Sequence, residues 1–594
     1  MPRPPRPLLT RRAWLIAGAA VLLLVLVLPW IVAPVVTARL RAAAAARGLD
    51  ARWDALSFRW PLGVEVRGLE LDRRVPPEPV LRAGRVTVAL APRLTSLRPR
   101  IARLELDEVS VRLSAADRPE GFTAPDEAKS GPASPRVRAA AAQVAEALLV
   151  PARHLPEVRL AGLELARGDS LFARLDLLTL SQRGGGARLV ATGRLAGVRD
   201  VPFDLTLDWR RDDRLTGRAS FDLGGPVRAL SRLEVTVEGR VSQDRHAGIV
   251  RIADDTRVRV GQFELALAGE VHRAGPRFRL ALEARGLTPD GIQESLPPAM
   301  LGPLEDLDVR GSWDWRASLD VDVAEPESTR FTAGVVSHGL ALGTDRARLP
   351  LHRLAGPFVA TIHVPKGPVV RELAPESPSF RPLERISPLL RESVLTNEDG
   401  GFYKHRGFNA SAIQGAIAEN LRAGGFRRGA GTITMQLARN LYLGHRRTLS
   451  RKAQEVVLAW VLENLTGLSK DRLLEIYLNI IEWGPGVHGA AEAAAFYFEK
   501  DPVELSLDES LFLTVLVPSP SRWRGRVDAE GALRPWARAQ MAFIARKMAS
   551  RGVLDSAAVP AAESLRVELK GPAAAELLAR RLAAAGAAHS RTTR

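Results

Sequence analysis

Apolar residues alternate with polar ones over most of the first half of the chain, from about Gly48 to Val323. From Ile101 to Leu113 the apolar side chains fall mostly on every second residue, which places them on one face of an extended strand. Residues 232–241, 257–271 and 277–285 repeat this pattern, and Gly- or Asp-containing turns separate the strands. The alternation predicts a long antiparallel sheet with one apolar face. No constellation of residues suited to catalysis stands out within it.

The period becomes helical after Ile386. A transition of short strands and a proline-rich linker, residues 329–379, precedes the change. Asn409 is predicted to cap a helix, because a side-chain oxygen there accepts from the first free backbone amides. A chain of 594 residues is too long for one ordinary core. We therefore predict a separate, mostly helical domain over residues 380–554 and a C-terminal tail over 555–594. The helices are expected at 137–150 and 289–301 within the β-rich part, and at 432–443, 450–465, 470–481, 508–517 and 534–551.

An uncharged apolar run extends from Ala13 to Val36, after four arginines within residues 1–12. A helix rises about 1.5 Å per residue, so this run spans a hydrocarbon core of roughly 30 Å. It is longer than the roughly 7–15 apolar residues of a signal peptide. A cleaved signal peptide is the alternative, because an Ala-rich segment, residues 42–46, follows the run. The basic residues favour a cytoplasmic N-terminus. We predict a cytoplasmic basic tail (1–12), a single transmembrane helix (13–36) and the rest of the chain outside the cytoplasm.

The chain carries a formal net charge of +17. Such an excess suits an anionic partner: nucleic acid, an acidic membrane surface or a phosphate-bearing substrate. The chain has no cysteine, which excludes disulfides, cysteine nucleophiles and zinc–thiolate sites. Its ten histidines do not form a metal-binding motif such as HExxH.

No Asp or Glu occurs between Asn420 and Gln454, although this stretch contains eight basic residues. Guanidinium groups bind phosphate oxygens in bidentate fashion, so the block suits a pyrophosphate. A face resting on anionic lipid headgroups is the alternative. Glu455 is the first acidic residue after the block and lies four residues after Arg451. It either forms a surface ion pair with Arg451 or is a carboxylate beside a phosphate site. The basic residues are Arg422, Arg427, Arg428, Arg439, Arg446, Arg447, Arg451 and Lys452.

Glu398 and Asp399 are adjacent carboxylates in a segment predicted to be a loop before a helix. Gly400 and Gly401 allow a sharp turn beside them, and His405 could orient a carboxylate. An acidic dipeptide is most often solvated surface, and a single histidine is most often structural. These residues alone therefore do not decide whether the segment is catalytic.

Four segments resemble, in order and spacing, the four motifs of the family-51 glycosyltransferases, the penicillin-binding-protein transglycosylases. The segment 482–492 is closest to that of the monofunctional biosynthetic transglycosylases, and the resemblance covers about residues 380–554. Two residues depart from the second motif: Gly431 stands where Ser is usual, and Met435 where Gln is usual. Arg439 stands where the family often has Lys. The four segments are Glu398–Gly407, Gly429–Gln436, Arg451–Glu455 and Lys470–Asn479.

The resemblance implies a lysozyme-like domain that joins lipid II units into glycan strands with inversion at the anomeric carbon. It implies that Glu398 is the general base and that Glu455 orients the cations holding the departing pyrophosphate, or orients a divalent ion (Mg or Mn). A metal requirement stays open. The substrate-binding residues that it implies are Asp399, Phe402, His405, Thr432, Thr434, Gln436, Arg439, Arg447, Arg451, Lys452 and Asn479.

The resemblance also implies lipid II and the nascent glycan strand as partners, with no nucleic acid. The catalytic domain is expected in the periplasm, anchored in the inner membrane of a bacterium, beside other cell-wall synthesis or envelope proteins. Residues 408–426 lie where the family has an apolar jaw that dips into the bilayer. A Ser-x-x-Lys transpeptidase signature does not follow, so polymerisation without peptide cross-linking is expected.

The β-rich region, residues 48–328, resembles in its pattern the AsmA-like envelope proteins, whose curved sheets form a lipid-lined groove. A spacer that holds the next domain off the membrane is the alternative. Two other functions compete with polymerisation. A lytic enzyme could use two carboxylates to cleave glycan, and a lipid-binding or lipid-transport protein could carry a degenerate transferase domain, as Gly431 and Met435 suggest.

Overall fold

The computed structural model describes residues 33–59, 62–74, 78–93, 96–113, 131–150, 155–167, 170–196, 200–223, 232–346, 348–365, 367–444 and 449–592. The chain divides into two compact units, residues 1–116 with 146–261 and residues 117–145 with 262–594. The prediction of a large β-rich region followed by a mostly helical part is confirmed.

The described residues of the first unit form twelve strands. Along the sheet they follow chain order from β3 to β12, with β1 and β2 both paired to β3. The strands are β1 (Leu49–Arg52), β2 (Ala55–Arg59), β3 (Gly63–Arg73), β4 (Glu78–Arg93), β5 (Ser96–Leu113), β6 (Glu157–Arg167), β7 (Ser170–Arg183), β8 (Gly186–Leu195), β9 (Val201–Trp209), β10 (Arg214–Asp222), β11 (Arg232–Asp244) and β12 (Ile249–Val260).

One pairing in this unit departs from the predicted antiparallel sheet, because β5 and β6 run parallel. Parallel neighbours need a crossover of a dozen or more residues, and the 43 residues between Leu113 and Glu157 supply it. The alternation of apolar residues is the same for either direction of pairing. It therefore could not reveal this change.

The regular pairing of strands β3 to β6 is interrupted along one line across the sheet. Gly68, Gly84, Glu108 and Gly162 occupy neighbouring positions on that line. Gly68, Glu108 and Gly162 all have positive φ, from +56° to +67°. A Cβ on Gly84 would lie 2.7 Å from the Glu108 carboxylate, so glycine at this position makes room for that side chain. Such bulged positions bend a sheet and increase its twist.

The second unit contains an antiparallel run of four strands, β13 to β16, two small hairpins and the helices of the C-terminal part. Its strands are β13 (Phe263–His272), β14 (Arg277–Leu287), β15 (Val309–Asp322), β16 (Arg330–Leu342), β17 (Phe358–Ile362), β18 (Val369–Leu373), β19 (Glu482–Gly484) and β20 (Val487–His488).

The helices confirm most of the helical segments predicted from the sequence. Residues 33–45 are helical, and α1 begins eleven residues before Glu146, where the chain returns from the second unit to the first. The helices are α1 (Pro135–Leu149), α2 (Pro289–Ser295), α3 (Pro298–Leu301), α4 (Pro388–Glu398), α5 (Ala410–Ala423), α6 (Ile433–Ala438), α7 (Leu449–Asn464), α8 (Lys470–Ile480), α9 (Ala490–Phe498), α10 (Leu507–Leu516), α11 (Pro535–Ser550) and α12 (Gly571–Thr592).

The core of the second unit lies among helices α4 and α6 to α11. Leu390, Leu437, Leu458, Tyr477 and Phe512 are all buried in one apolar cluster, and the β17–β18 hairpin packs on it. Residues 329–379, predicted as strands and a linker, therefore place part of their chain against the helical core.

Helix α5 belongs to the segment expected to form a membrane-dipping jaw. Its Ile417 and Leu421 pack against Val321 and Val323, at the end of β15, within the second unit. Phe426, just after the helix, is 78% exposed. One face of the segment is thus covered by the chain itself, while its tip presents an aromatic ring to the surroundings.

The predicted transmembrane helix, residues 13–36, lies almost wholly outside the described residues. Within the part of the chain that is described, no helix is both long and apolar enough to span a bilayer. At the other end, the segment predicted as a tail packs on the domain. Leu565 and Ala573 are fully buried in its core, and Glu576 pairs with Arg524.

Candidate active site

Glu398 is the last residue of helix α4, and Asp399 caps that helix. The sequence had placed both carboxylates in a loop, and that prediction was wrong for Glu398. The helix begins with Pro388, a favourable first residue because its missing amide would be unpaired there anyway. Buried Leu390, Val394 and Leu395 fix the helix to the core. A rigid element therefore holds the predicted base.

Two neutral amides hold the Glu398 carboxylate. Asn397 donates to its Oε1 at 2.7 Å, and Gln436 donates to its Oε2 at 2.9 Å. Gln436 in turn accepts from the Tyr477 hydroxyl at 3.2 Å. The Tyr477–Gln436–Glu398 chain fixes the orientation of the carboxylate with uncharged donors.

Burial raises the pKa of the Glu398 carboxyl above its ordinary value, because the charged form loses hydration. Hydrogen bonds from Gln436 and Asn397 and the positive charge of Arg439 oppose this shift, while Asp399 adds to it. The upward shift brings the pKa closer to neutral pH, where a general base works best.

Asp399 is buried and makes its hydrogen bonds within the chain. It accepts from His405 Nε2 at 2.9 Å and from the Ile433 backbone amide at 3.2 Å, in the first turn of α6. A carboxylate is stabilised at a helix N-terminus by the unpaired amides and the helix dipole. Asp399 and His405 therefore tie the first and second motifs together beside Glu398.

A buried carboxylate that the sequence did not single out, Glu463, joins three of the motifs. It accepts from the Gly407 amide at 2.6 Å and from the Thr434 hydroxyl, and it pairs with Lys470 at 2.6 Å. The Lys470 ammonium also lies 4.1 Å from the ring centroid of Phe402, which is fully buried. Thr434 and Phe402 were predicted to bind substrate, and the structure places both in this internal network.

Thr432 is also internal. It caps α6 by accepting from the Met435 amide, and its hydroxyl donates to the Gly407 carbonyl at 2.8 Å. A Cβ on the neighbouring Gly431 would lie 3.5 Å from Lys452 Nζ, with no tighter contact. Glycine is therefore not sterically required there. Met435 is buried.

Arg439 follows α6, at the start of a π-helical turn, Arg439–Leu443. Such turns occur frequently at functional sites. Its Nε is buried without a hydrogen-bond partner among the described residues. Burial lowers the pKa of Arg439, and Glu398 opposes that shift. A buried guanidinium donor left without a partner is costly, so this position favours an anionic ligand.

Three charged residues of α7 form the second part of the site. Glu455 is buried and accepts from Arg451 and, at 3.0 Å, from Lys452. Burial lowers the pKa of Lys452, and the positive charges of Arg439 and Arg451 lower it further. Arg439 thus interacts with Glu398 on one side and with Lys452 on the other. The predicted base and the predicted cationic cluster share one site.

Asn479 lies at the end of the fourth motif and is buried. Its side chain accepts from the Arg381 amide at 2.9 Å and donates to the Arg381 carbonyl at 2.8 Å. It also donates to the Glu475 carbonyl at 2.9 Å. Asn479 therefore anchors the chain that enters the domain, although it was predicted to bind substrate.

Arg447 lies outside the described residues. Within the described part of the chain, groups of three or more His, Cys, Asp or Glu able to hold a metal ion do not occur. The two oxygens of Glu455 each contact a cation instead.

Two further residues near Glu398 were missed in the sequence. Asn397 precedes it directly and could have been noticed as a neighbouring amide. Lys547, in α11, interacts electrostatically with Glu398 and donates to the Thr396 carbonyl at 3.3 Å. Burial lowers the pKa of Lys547. Nothing local in the sequence connects residue 547 with residue 398.

Residues 366–549 match the family model described as Transglycosylase. The chain is similar to three proteins named biosynthetic peptidoglycan transglycosylase. It is 41% identical over 167 residues to that of Alcanivorax borkumensis, covering 28% of this chain and 67% of the relative. It is 40% identical over 172 residues to that of Nitrosospira multiformis, covering 29% and 72%.

The third relative, from Thiobacillus denitrificans, is 42% identical over 142 residues. This match covers 24% of the chain and 60% of the relative, so this chain spans less than two thirds of that protein's length. The matched segments of these three relatives each cover less than a third of the present chain. The comparisons show that the chain belongs to the transglycosylases, the family-51 glycosyltransferases.

Proposed function

We propose that the chain is a peptidoglycan glycosyltransferase that polymerises lipid II into glycan strands and releases lipid pyrophosphate. The observation that carries this proposal is the pairing of Glu398, whose pKa is raised, with Arg439, a half-buried cation whose Nε lacks a partner among the described residues. A carboxylate base beside a buried guanidinium group suits a reaction that removes a proton and expels a phosphate leaving group.

In the proposed reaction, Glu398 takes the proton from the 4-hydroxyl of the acceptor sugar. The acceptor oxygen forms a bond to the anomeric carbon of the donor strand, and the bond from that carbon to the lipid pyrophosphate breaks with inversion. Arg439, Arg451 and Lys452 stabilise the negative charge that develops on the departing pyrophosphate, because preorganised charges act strongly where water is excluded. Glu455 holds the last two cations in place.

The internal residues of the motifs act by positioning. Asp399, His405 and Glu463 fix the segments that carry Glu398 and α6. Gln436 and Asn397 set the orientation and basicity of Glu398. We propose a periplasmic site on the inner membrane of a bacterium, with the exposed Phe426 at the membrane surface. We also infer a lysozyme-like arrangement of the catalytic helices.

The test is incubation of the purified full-length chain with lipid II, comparing wild type with Glu398→Gln. Removal of a general base is expected to reduce the rate by about 10²–10⁴-fold. Glu530→Gln, at an exposed position, is the matched control and should polymerise at the wild-type rate. Polymer from the Glu398→Gln variant at the wild-type rate would refute the assigned base. Absence of polymer from the wild type would favour the non-enzymatic alternative, and shortened glycan the lytic one.

A further inference from the structure

An apolar pocket of about 380 Å³ lies in the second unit, beside the helix that carries Glu455. One wall comes from residues 289–340, including Trp313, Trp315 and Leu340. The other wall comes from α7, including Ala453, Val457 and Trp460. We call it the α7 pocket. Its volume lies within the range of small-molecule sites, about 300–1,000 Å³.

The lining of the α7 pocket is aliphatic and aromatic apart from Gln293, Ser450 and Gln454. The Gln454 amide already donates to the Met300 carbonyl at 2.6 Å. Such a lining favours a ligand that buries hydrocarbon surface. Val456 and Val457 are 36% and 41% exposed at the pocket, although apolar side chains are normally buried where a partner is available.

The pocket and the cationic part of the active site share one helix, because α7 contributes side chains to both. Lys452 and Val456 are four residues apart on α7, so their side chains are neighbours on its surface. Arg451, Lys452 and Glu455 form the charged side of the helix. Val456 lines the pocket and is the pocket residue next to Lys452 on the helix surface. This juxtaposition fits an amphiphile with an anionic head and a hydrocarbon tail.

We propose that the α7 pocket binds the polyprenyl chain of the lipid pyrophosphate whose head is held by Arg439, Arg451 and Lys452. The inference rests on the proposed function and adds a binding site for the lipid portion of the substrate. One pocket wall precedes residue 366, where the family match begins. The transferase helix and a segment outside the matched domain thus form the site jointly.

The first test uses the absence of cysteine in the chain. Val457→Cys places a single thiol in the pocket, and Leu578→Cys places one on the exposed side of α12 as the control. Maleimide labelling is measured in detergent with a long-chain polyprenyl pyrophosphate, inorganic pyrophosphate or phosphatidylglycerol. At about ten times the Kd, occupancy should slow labelling of Val457→Cys about tenfold.

The expected result is protection by the polyprenyl pyrophosphate alone, with unchanged labelling of Leu578→Cys. Equal protection by phosphatidylglycerol would overturn the proposed ligand, because the pocket would then accept acyl lipids in general. Protection by inorganic pyrophosphate, or absence of protection by any probe, would also overturn it.

The second test fills the pocket with Ala453→Trp and measures polymerisation of donors with long and short polyprenyl chains. Each buried methylene strengthens binding about fourfold, so the wild type should prefer the long-chain donor by at least about tenfold in kcat/KM. Ala453→Trp should abolish this preference while retaining activity on the short-chain donor. Ala575→Trp, at an exposed position on α12, should keep the preference.

These outcomes separate the two proposals. Protection of Val457→Cys by the polyprenyl pyrophosphate, together with absence of polymer from the wild type, would support the pocket and refute the proposed function. Polymerisation without protection, and with equal rates for long and short chains, would refute the pocket and leave the proposed function standing.

Discussion

Replacing Gln436 with methionine is expected to move the acidic limb of the pH–rate profile to higher pH. Gln436 donates to the Glu398 carboxylate at 2.9 Å and thereby stabilises its charged form. Without that donor, the effect of burial on the carboxylate is opposed by the Asn397 hydrogen bond and by the positive charges of Arg439 and Lys547. The pKa of Glu398 should rise, and a higher pH is then needed to keep the base deprotonated.

The size of the shift follows from the hydrogen bond that is lost. A hydrogen bond to a charged group contributes about 1.5–3 kcal/mol. One pKa unit corresponds to about 1.4 kcal/mol, so the acidic limb should move upward by about 1–2 units. Tyr477→Phe removes only the hydroxyl that orients Gln436, and it should move the limb by much less.

The assay is kcat/KM for lipid II polymerisation across pH for wild type, Gln436→Met and Tyr477→Phe. The plateau of Gln436→Met at high pH should approach that of the wild type, because a stronger base remains in place. A lower plateau with an unmoved limb would mean that Gln436 acts on folding or binding. The argument that it tunes Glu398 would then be refuted.

Three further substitutions test the supporting structure by thermal unfolding and polymerisation rate. Glu463→Gln should destabilise the fold by about 3–5 kcal/mol, because it leaves Lys470 as a buried charge without its partner; an unchanged Tm would contradict the network. Gly407→Ala should lower Tm strongly, because Gly407 has φ +96° and a Cβ there would lie 2.9 Å from the Trp460 backbone. Gly525→Ala is the control and should leave Tm unchanged, because open space surrounds Gly525. Gly431→Ser should keep the wild-type Tm, since its Cβ meets only Lys452 Nζ at 3.5 Å, and a loss of stability there would show that glycine is required.

The sequence predicted the helices of the catalytic domain well where their apolar period was clear, as in α7 and α8. It did not list α4 as a separate helix, although it placed the change to a helical period after Ile386 and therefore before this segment. Pro388 is the first residue of that helix. It also missed α9, whose residues are nearly all apolar, so that no polar face marks a helical period.

The candidate site was predictable in part, because the predicted site residues Glu398, Arg439, Lys452 and Glu455 do meet in the structure. The division between exposed and buried motif residues was not predictable. Asn479, for example, carries the family pattern but makes its hydrogen bonds inside the fold. A motif records which residues are needed, and only the packing shows which of them touch a ligand.

The two predicted catalytic carboxylates lie in contrasting surroundings. Neutral amides hold Glu398 at the C-terminus of a helix, where the dipole disfavours negative charge and adds to the effect of burial. Two cations hold Glu455. Such a contrast separates the group that exchanges a proton from the group that organises charge.

The same contrast predicts how stability depends on pH. The folded pKa of Glu398 lies above its ordinary value, so the folded state binds this proton more tightly than the unfolded state does. The stability that this preference contributes is present below about pH 4.5, the ordinary value, and is lost as the pH rises through the folded pKa. Glu398→Gln removes the ionisation, so its Tm relative to wild type should increase with pH over that window. A Tm difference that does not vary with pH would show that burial of the charged carboxylate carries no cost, and the basis for its raised pKa would be lost.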